Sequence, residues 1–278
     1  MVTKVKATED DLIKEQKGAY WSEPGAGIRY YNAAFARNGI VKLKTDVERA
    51  LVRSVAKGRV LDAGTGTGRF ALDLAEDKSN RVIAADFSRE MLNVNRHLRE
   101  EHRVQLQYVQ CDVEKLPFRN DTFDSVVSIT VIRHFPQFRS ILKEYLRVLK
   151  RDGVLVFEMC SGDHLRAANS LRPRFGMKFS EHTFAEYELE MEFGDLRPLL
   201  ETLGASVIWR QPYDVLNNNA WIQLALGKKI LYRLTMKVIE LTLRVSIIRR
   251  FAGWIERTVL PGVSTKVSYN YMVAARKG

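Results

Sequence analysis

Only two cysteines, Cys111 and Cys160, occur in the 278 residues, far apart and without the paired spacing of metal ligands. A disulfide framework is thereby excluded and no metal site is expected. Long apolar runs are missing too, none approaching the roughly 18–20 residues that a bilayer-spanning helix needs. The first residues, MVTKVKATEDDLIKEQKG, are charged from the start and lack the apolar core of a secretory signal. The expectation is a cytoplasmic protein, soluble or peripheral at the inner face of a membrane. Acidic residues are outnumbered, 33 against 44 Lys and Arg, and the net charge of +11 favours anionic partners.

What is present centres on residues 59–70, RVLDAGTGTGRF. Val60 and Leu61 have the character of a buried strand end, and Gly64, Gly66 and Gly68 form a tight turn into a helix starting near Arg69. Such a turn lets backbone approach a ligand closely. A dinucleotide loop requires G-x-G-x-x-G, but counted from Gly64 the third glycine falls on Arg69, whereas D-x-G-x-G-x-G is complete. The loop therefore favours a nucleoside-bearing ligand other than a nicotinamide dinucleotide. A second strand, RVIAAD, ends in Asp86, 24 residues beyond Asp62. Two carboxylate oxygens there can accept both ribose hydroxyl protons, while Ser88 already supplies a cap for the helix that follows.

The alternation continues. Residues 104–113 form a third strand, a fourth ends at Ser128, Ile129 and Thr130, and FRSILKEYLRVLK (138–150) carries Ile141, Leu142, Tyr145, Leu146 and Leu149 on one helical face. Arg151-Asp152-Gly153 then turns into a fifth strand, GVLVFEM. Upstream, Thr45–Lys57 has helical spacing and should pack on the sheet.

In order and spacing these pieces resemble the class I S-adenosylmethionine (SAM) dependent methyltransferases, of the small-molecule type similar to ubiquinone and menaquinone methyltransferases, over roughly residues 43–160. The resemblance implies an α/β fold: a Rossmann-like seven-stranded sheet, mostly parallel with an antiparallel last strand, flanked by helices. It implies that the loop residues Gly64, Thr65, Gly66 and Gly68 pass beside the methionine moiety of SAM, with Asp62 near its ammonium group. Asp86 would meet the ribose and Asp112 and the amide of Val113 the adenine, with Phe87 and Ile129 also binding the cofactor. The remaining strands are expected near 205–213 and 267–277, preceded by a helix around Phe193–Leu203.

DNA and RNA amino-methyltransferases of several families carry an Asp/Asn-Pro-Pro-aromatic motif after strand four, where this chain has SITV, and neither cysteine sits in a Pro-Cys pair. Nucleic acid is disfavoured as a partner by both routes. His134 is a candidate general base, because an imidazole titrates near neutrality, or else a histidine that shapes the pocket without moving a proton. Residues 1–42 form an N-terminal lid segment ahead of a domain from 43 to 278. In that lid Tyr20 and Tyr31 are candidates for the SAM carboxylate or the substrate, with simple packing of the rings as the alternative.

Two insertions depart from the minimal fold. One, about 161–192, follows strand five and should shape specificity; His164 leads its substrate-binding candidates, with Arg166, Arg172, Arg174 and His182. The other, about 215–264, lies between the last two strands. There a helix is expected from Leu226 to Glu256, bent near Gly253, with Leu234, Val238, Leu241, Val245, Ile248, Ala252 and Ile255 as the seam packed on the protein. Residues 226–258 hold eight basic and two acidic residues, supplying +6 of the total charge. An anionic membrane surface would suit this segment, as would burial between the core and a second protomer of a homodimer or its own bent half; the oligomeric state is left open. The function expected is methyl transfer to a small-molecule or membrane-proximal amphiphilic acceptor, such as a lipid, quinone or lipid-linked sugar. An RNA methyltransferase and a non-catalytic SAM-binding regulatory subunit are the alternatives.

Overall fold

The computed structural model describes residues 9–29, 39–164, 166, 189–216, 222, 226, 229–259 and 268–278. Strand β1 (Arg59–Ala63) is central, and β2 (Arg81–Asp86) and β3 (Gln107–Gln110) are added on one side of it. Strands β4 (Phe123–Ser128) and β5 (Leu149–Ser161) lie on the other side, all parallel. β8 (Asn270–Lys277) then inserts antiparallel between β5 and β7 (Ala205–Tyr213), so the order is β3-β2-β1-β4-β5-β8-β7. The expected sheet of seven strands is this path; a two-residue strand, β6 (Glu190–Met191), adds an eighth beside the end of β5.

The alternation of side chains along each strand builds two cores, one per face. Leu61, Ile83, Val126 and Phe157 share one face with α5 (Phe138–Val148), whose Ile141, Leu142 and Tyr145 are fully buried. Val60, Val82, Val127 and Val156 share the other face with α2 (Gly39–Val55) and α3 (Arg69–Ala75). Helix α4 (Arg89–His102) starts where the hydroxyl of Ser88 accepts from the Met91 amide and stops where Arg103 turns left-handed at φ 54°. The chain winds from β1 to one side and returns at β4 to the other, so the carboxyl ends of β1 and β4 form the switch point where open α/β sheets hold ligands.

Several boundaries differ from expectation. The helix expected from Thr45 begins at Gly39, because Ile40 and Leu43 extend its buried stripe, so the 42/43 boundary of the lid falls inside it. The third strand is confined to Gln107–Gln110, and α5 ends at Val148 because Leu149 already pairs with Phe123. The lid contributes α1 (Glu9–Ser22). α6 (Phe193–Thr202) precedes β7 as expected.

The long helix of the second insertion is two helices, α7 (Lys229–Thr242) and α8 (Ser246–Thr258), broken at Leu243–Val245 and not at Gly253. Leu243 is buried, and Arg249 donates to the carbonyls of Leu243 and Arg244, closing the end of α7. The hairpin stands on α2. A Cβ on Gly39 would collide with the Glu240 carbonyl, and Gly253 lies over Leu43 and Val47. Most of the expected inward seam faces outward: Leu234, Val238, Leu241, Val245, Ile248 and Ile255 are exposed, while of the seam only Ala252 packs on the core, alongside Met236, Ile239 and Leu243.

Candidate functional site

A cavity of ≈ 1150 Å³, counted with its open mouth, lies at the carboxyl ends of β1, β2 and β4. The loop after β1 provides Gly64, Thr65 and Gly66, and the end of β2 provides Asp86 and Phe87. Asp112 and Val113 follow β3, Ile129, Thr130 and Val131 follow β4, and His134 and Phe135 lie just beyond. Helix α1 closes one side with Lys14, Gly18 and Trp21, residues four and three apart on one helical face.

The loop can reach the cavity because its glycines are left-handed, with φ of 74°, 54° and 90° at Gly64, Gly66 and Gly68. A side chain at Gly64 would collide with Val131 across the cavity floor. The amides of Gly64 and Thr65 both donate to the Ala85 carbonyl (2.8 and 2.9 Å), tying the loop to β2. Asp62 pins it from behind: its Oδ2 accepts from Thr65 Oγ1 at 2.6 Å and from the Ala71 amide at 3.0 Å. Burial pushes the Asp62 carboxyl up to about 6, against the lowering by those two hydrogen bonds.

Asp86 accepts from the Gly66 amide (2.8 Å) and the Ser88 amide (2.9 Å), so one carboxylate joins the glycine loop to the start of α4. Burial raises its pKa. Asp112 pairs with Lys14 at 2.6 Å and accepts from the Glu114 amide at 3.0 Å. Lys14 also pairs with Glu114. Burial lowers the Lys14 pKa, but the two carboxylates outweigh it and leave it raised. A second tether, from Ser88 Oγ to the Trp21 carbonyl at 2.7 Å, fixes the other end of α1.

Beneath the remaining wall lies a buried polar network. Arg69 stacks over the Phe70 ring at 4.5 Å and pairs with Glu48, which also accepts from the Tyr213 hydroxyl at 3.0 Å. Lys44 stands between Asp214 (3.2 Å), Glu48 (3.8 Å) and Glu158 (3.9 Å). Burial works against its charge, yet those carboxylates leave its pKa raised. Glu158 accepts from Thr130 Oγ1 at 2.7 Å and from Arg133 at 3.2 Å. Burial alone would raise its pKa, but Lys44 and Arg133 hold it low.

Of the residues proposed from sequence, Gly64, Thr65, Gly66, Asp86, Phe87, Asp112, Val113, Ile129 and His134 converge on this cavity. Asp62 and Gly68 are not on its wall; they shape the loop from behind. Tyr20 is turned away, 38 % exposed and edge-on to Trp21, and the lid ring on the wall is that of Trp21. His164 is fully buried, edge-on to Tyr269 and off the cavity wall, because its amide is drawn back to Ser161 Oγ at 3.1 Å. Tyr31, Arg172, Arg174 and His182 lie outside the described residues. Lys14, Arg69 and Thr130 were missed. The lysine lies in a charged segment with no motif, and Thr130 shows its importance only in its left-handed φ of 63°. Cys111 packs against the core, and burial pushes its thiol up to about 11.

Residues 61–157 match a family model described as a methyltransferase domain, which shows the resemblance over that span. Among curated relatives, the demethylmenaquinone methyltransferase of Clavibacter sepedonicus is 42% identical over 106 residues, 38% of this chain and 42% of that protein. The ubiquinone/menaquinone biosynthesis C-methyltransferase of Geotalea uraniireducens is 35% identical over 108 residues, 37% of this chain and 45% of that protein. The chain thus spans less than half the length of these relatives. Among solved structures, the magnesium protoporphyrin IX methyltransferase of Synechocystis, crystallised with SAH, superposes with a TM-score of 0.57 at 15% identity over 96% of this chain and all of that one. The [4+2]-cyclase SpnF superposes with a TM-score of 0.54 at 16% identity over 85% of this chain and 80% of that one. A cyclase on the same fold means that these superpositions speak for architecture alone.

Proposed function

We propose that the chain is a SAM-dependent methyltransferase whose acceptor is a small molecule or the head of a membrane-proximal amphiphile, a quinone-type ring foremost, with the protein working in the cytoplasm at an anionic membrane surface. The observation that carries this reading is the convergence of the glycine loop, Asp86 and Asp112 on one cavity at the switch point of the sheet. The names of the partial relatives support the quinone-type acceptor.

The wall fits the cofactor in its donor set and shape. With no Cβ at Gly64, Val131 packs directly on the left-handed loop, whose bare backbone faces the cavity where the methionine end of SAM would lie. Asp86 has the two oxygens that ribose hydroxyls need, Asp112 and the Val113 amide suit an adenine edge, and Phe87, Met91 and Ile129 supply apolar faces for the ring. When bound, SAM supplies an electrophilic methyl group on a sulfonium that leaves as a neutral thioether.

The protein's own part is to hold the acceptor in line with that methyl and to exclude water, a positioning effect worth several kcal/mol without a dedicated acid or base. Trp21, Val131 and Phe135 form an apolar wall suited to a ring or isoprenoid-bearing acceptor. His134, half-buried on the same wall, can accept the proton that an acceptor hydroxyl or activated ring carbon gives up.

Titration calorimetry of SAM, followed by incubation with methyl-labelled SAM and separate lipid, small-molecule and RNA extracts, tests the proposal. Micromolar binding with label entering the lipid or quinone fraction is the expected result. Label entering RNA alone would replace the acceptor, and binding without turnover on any extract would make the chain a regulatory SAM-binding subunit.

A further inference from the structure

The α7–α8 hairpin is apolar on two faces, and only one is used. Met236, Ile239 and Leu243 pack inward, and Gly253 lies over Leu43 and Val47 of α2. On the opposite side Leu234, Val238 and Leu241 repeat a four-then-three step along α7, and Ile247, Phe251 and Trp254 repeat it along α8. All six are exposed, Ile247 by 74 % and Phe251 by 62 %. The rings of Phe251 and Trp254 stack on one another, centroids 5.9 Å apart.

Charge decides what covers this face. Arg233, Lys237 and Arg250 each stand one position before an exposed apolar residue, Arg257 continues the row, and Lys237 and Arg244 share one carboxylate, Glu240, so the row keeps a net positive charge. The hairpin holds only two carboxylates: Glu256 is buried against Asp214, and Glu240 is covered by Lys237 and Arg244. A second copy docked here would set two cationic rows against each other. A bilayer bearing anionic head groups satisfies both halves of the surface: acyl chains receive the apolar row and phosphates the basic one. Among the described residues no helix is long and apolar enough to cross a membrane.

We infer that the outward face of α7–α8 is a membrane-docking surface that lies in the interface of an anionic bilayer, with Ile247, Phe251 and Trp254 inserted below the head groups. Its use, delivery of a bilayer-resident acceptor to the cavity, rests on the function proposed above; the binding itself does not.

Co-sedimentation of the full chain with phosphatidylcholine vesicles, with and without phosphatidylglycerol, tests it. Wild type is expected to bind only the phosphatidylglycerol vesicles and to be released by salt. Phe251→Ser with Trp254→Ser should lower the partition coefficient by roughly tenfold or more per residue. Arg250→Gln with Arg257→Gln should lower it by about fivefold per charge. Both double variants should keep the wild-type melting transition and SAM titration, which separates lost docking from lost folding. Vesicle binding that persists where SAM binding is absent would uphold the surface while the function proposed above fails. Wild type that ignores anionic vesicles, or the serine pair binding as wild type does, would overturn the inference. So would a wild-type dimer that the serine pair converts to monomer, which would assign the face to a second copy.

Discussion

Replacing Asp62 with Asn should stabilise the free protein at neutral pH, although Asp62 sits in the most telling motif of the chain. Both hydrogen bonds that Asp62 receives, from Thr65 Oγ1 and the Ala71 amide, end on a single oxygen, so an Asn carbonyl can accept both. What the substitution removes is a buried charge. The folded pKa is about 6 against 3.8 for the free side chain, so the folded state holds its proton more tightly than the unfolded state. Stability is therefore lost as pH rises from about 4 to 6, and the loss persists above that range. At 1.36 kcal/mol per unit, Asp62→Asn should exceed wild type by less than about 1 kcal/mol at pH 4 and by about 3 kcal/mol at pH 8. Urea unfolding of both proteins across that range measures the difference directly. If Asp62 also faces the SAM ammonium, SAM affinity at pH 8 should fall at least about tenfold in the same variant, a gain in stability set against a loss in binding. A variant less stable than wild type at pH 8, or a difference flat in pH, would refute the reasoning.

Three further outcomes follow from the same geometry. Glu48→Gln leaves Arg69 and Lys44 buried with one carboxylate fewer and should cost about 3–5 kcal/mol in chemical denaturation; a loss under about 1 kcal/mol would mean that the pair is not desolvated in solution. Gly64→Ala forces a side chain into φ 74° and onto Val131, so calorimetry should show SAM affinity reduced at least about tenfold, and unchanged affinity would deny that the loop touches the cofactor. Lys14→Ala removes the contacts from α1 to Asp112 and Glu114. Amide exchange across residues 9–22 should quicken while global stability changes by less than about 1 kcal/mol, and protection equal to wild type would place the hold on α1 elsewhere.

The parallel strands, the glycine loop and Asp86 were legible in the chain because their requirements are local, whereas Asp112 came only from the family resemblance. Asp86 must end a strand, the three glycines must turn left-handed, and Ser88 must cap a helix; each is written within a few residues of itself. What could not be read depends on partners far away in sequence. Glu48 and Glu158 look like an ordinary helix-surface acid and an oddity in an apolar strand until the fold brings Glu48 to Arg69 and Tyr213 and Glu158 to Lys44 and Arg133. The hairpin failed for a related reason. With apolar residues on both faces, periodicity gives a helix but not the side that packs, and the break at Leu243 follows from that residue having to bury against α2. Tyr20 and Trp21 show the same limit at the scale of one residue: about 100° of helix turn separates the ring on the wall from the ring off it.

The buried network also bears on how the hairpin relates to the cavity. From α8, Glu256 accepts from the Asp214 amide at 3.3 Å, and the Asp214 carboxylate accepts from Asn270 at 3.0 Å. The Asn270 side-chain oxygen accepts from Arg133 at 3.0 Å, and Arg133 donates to Glu158, which also holds Thr130 on the cavity wall. Removing so many charged and polar groups from water is costly, and their mutual contacts offset the cost only when each partner stays in place. A hairpin hung on a flexible tether could not supply Glu256 to such a network. Glu256 and Gly253 thus tie the hairpin to β7 and to α2, and these contacts set the direction in which its outward face points. Under the docking inferred above, the same contacts would set the angle at which the cavity meets a bilayer.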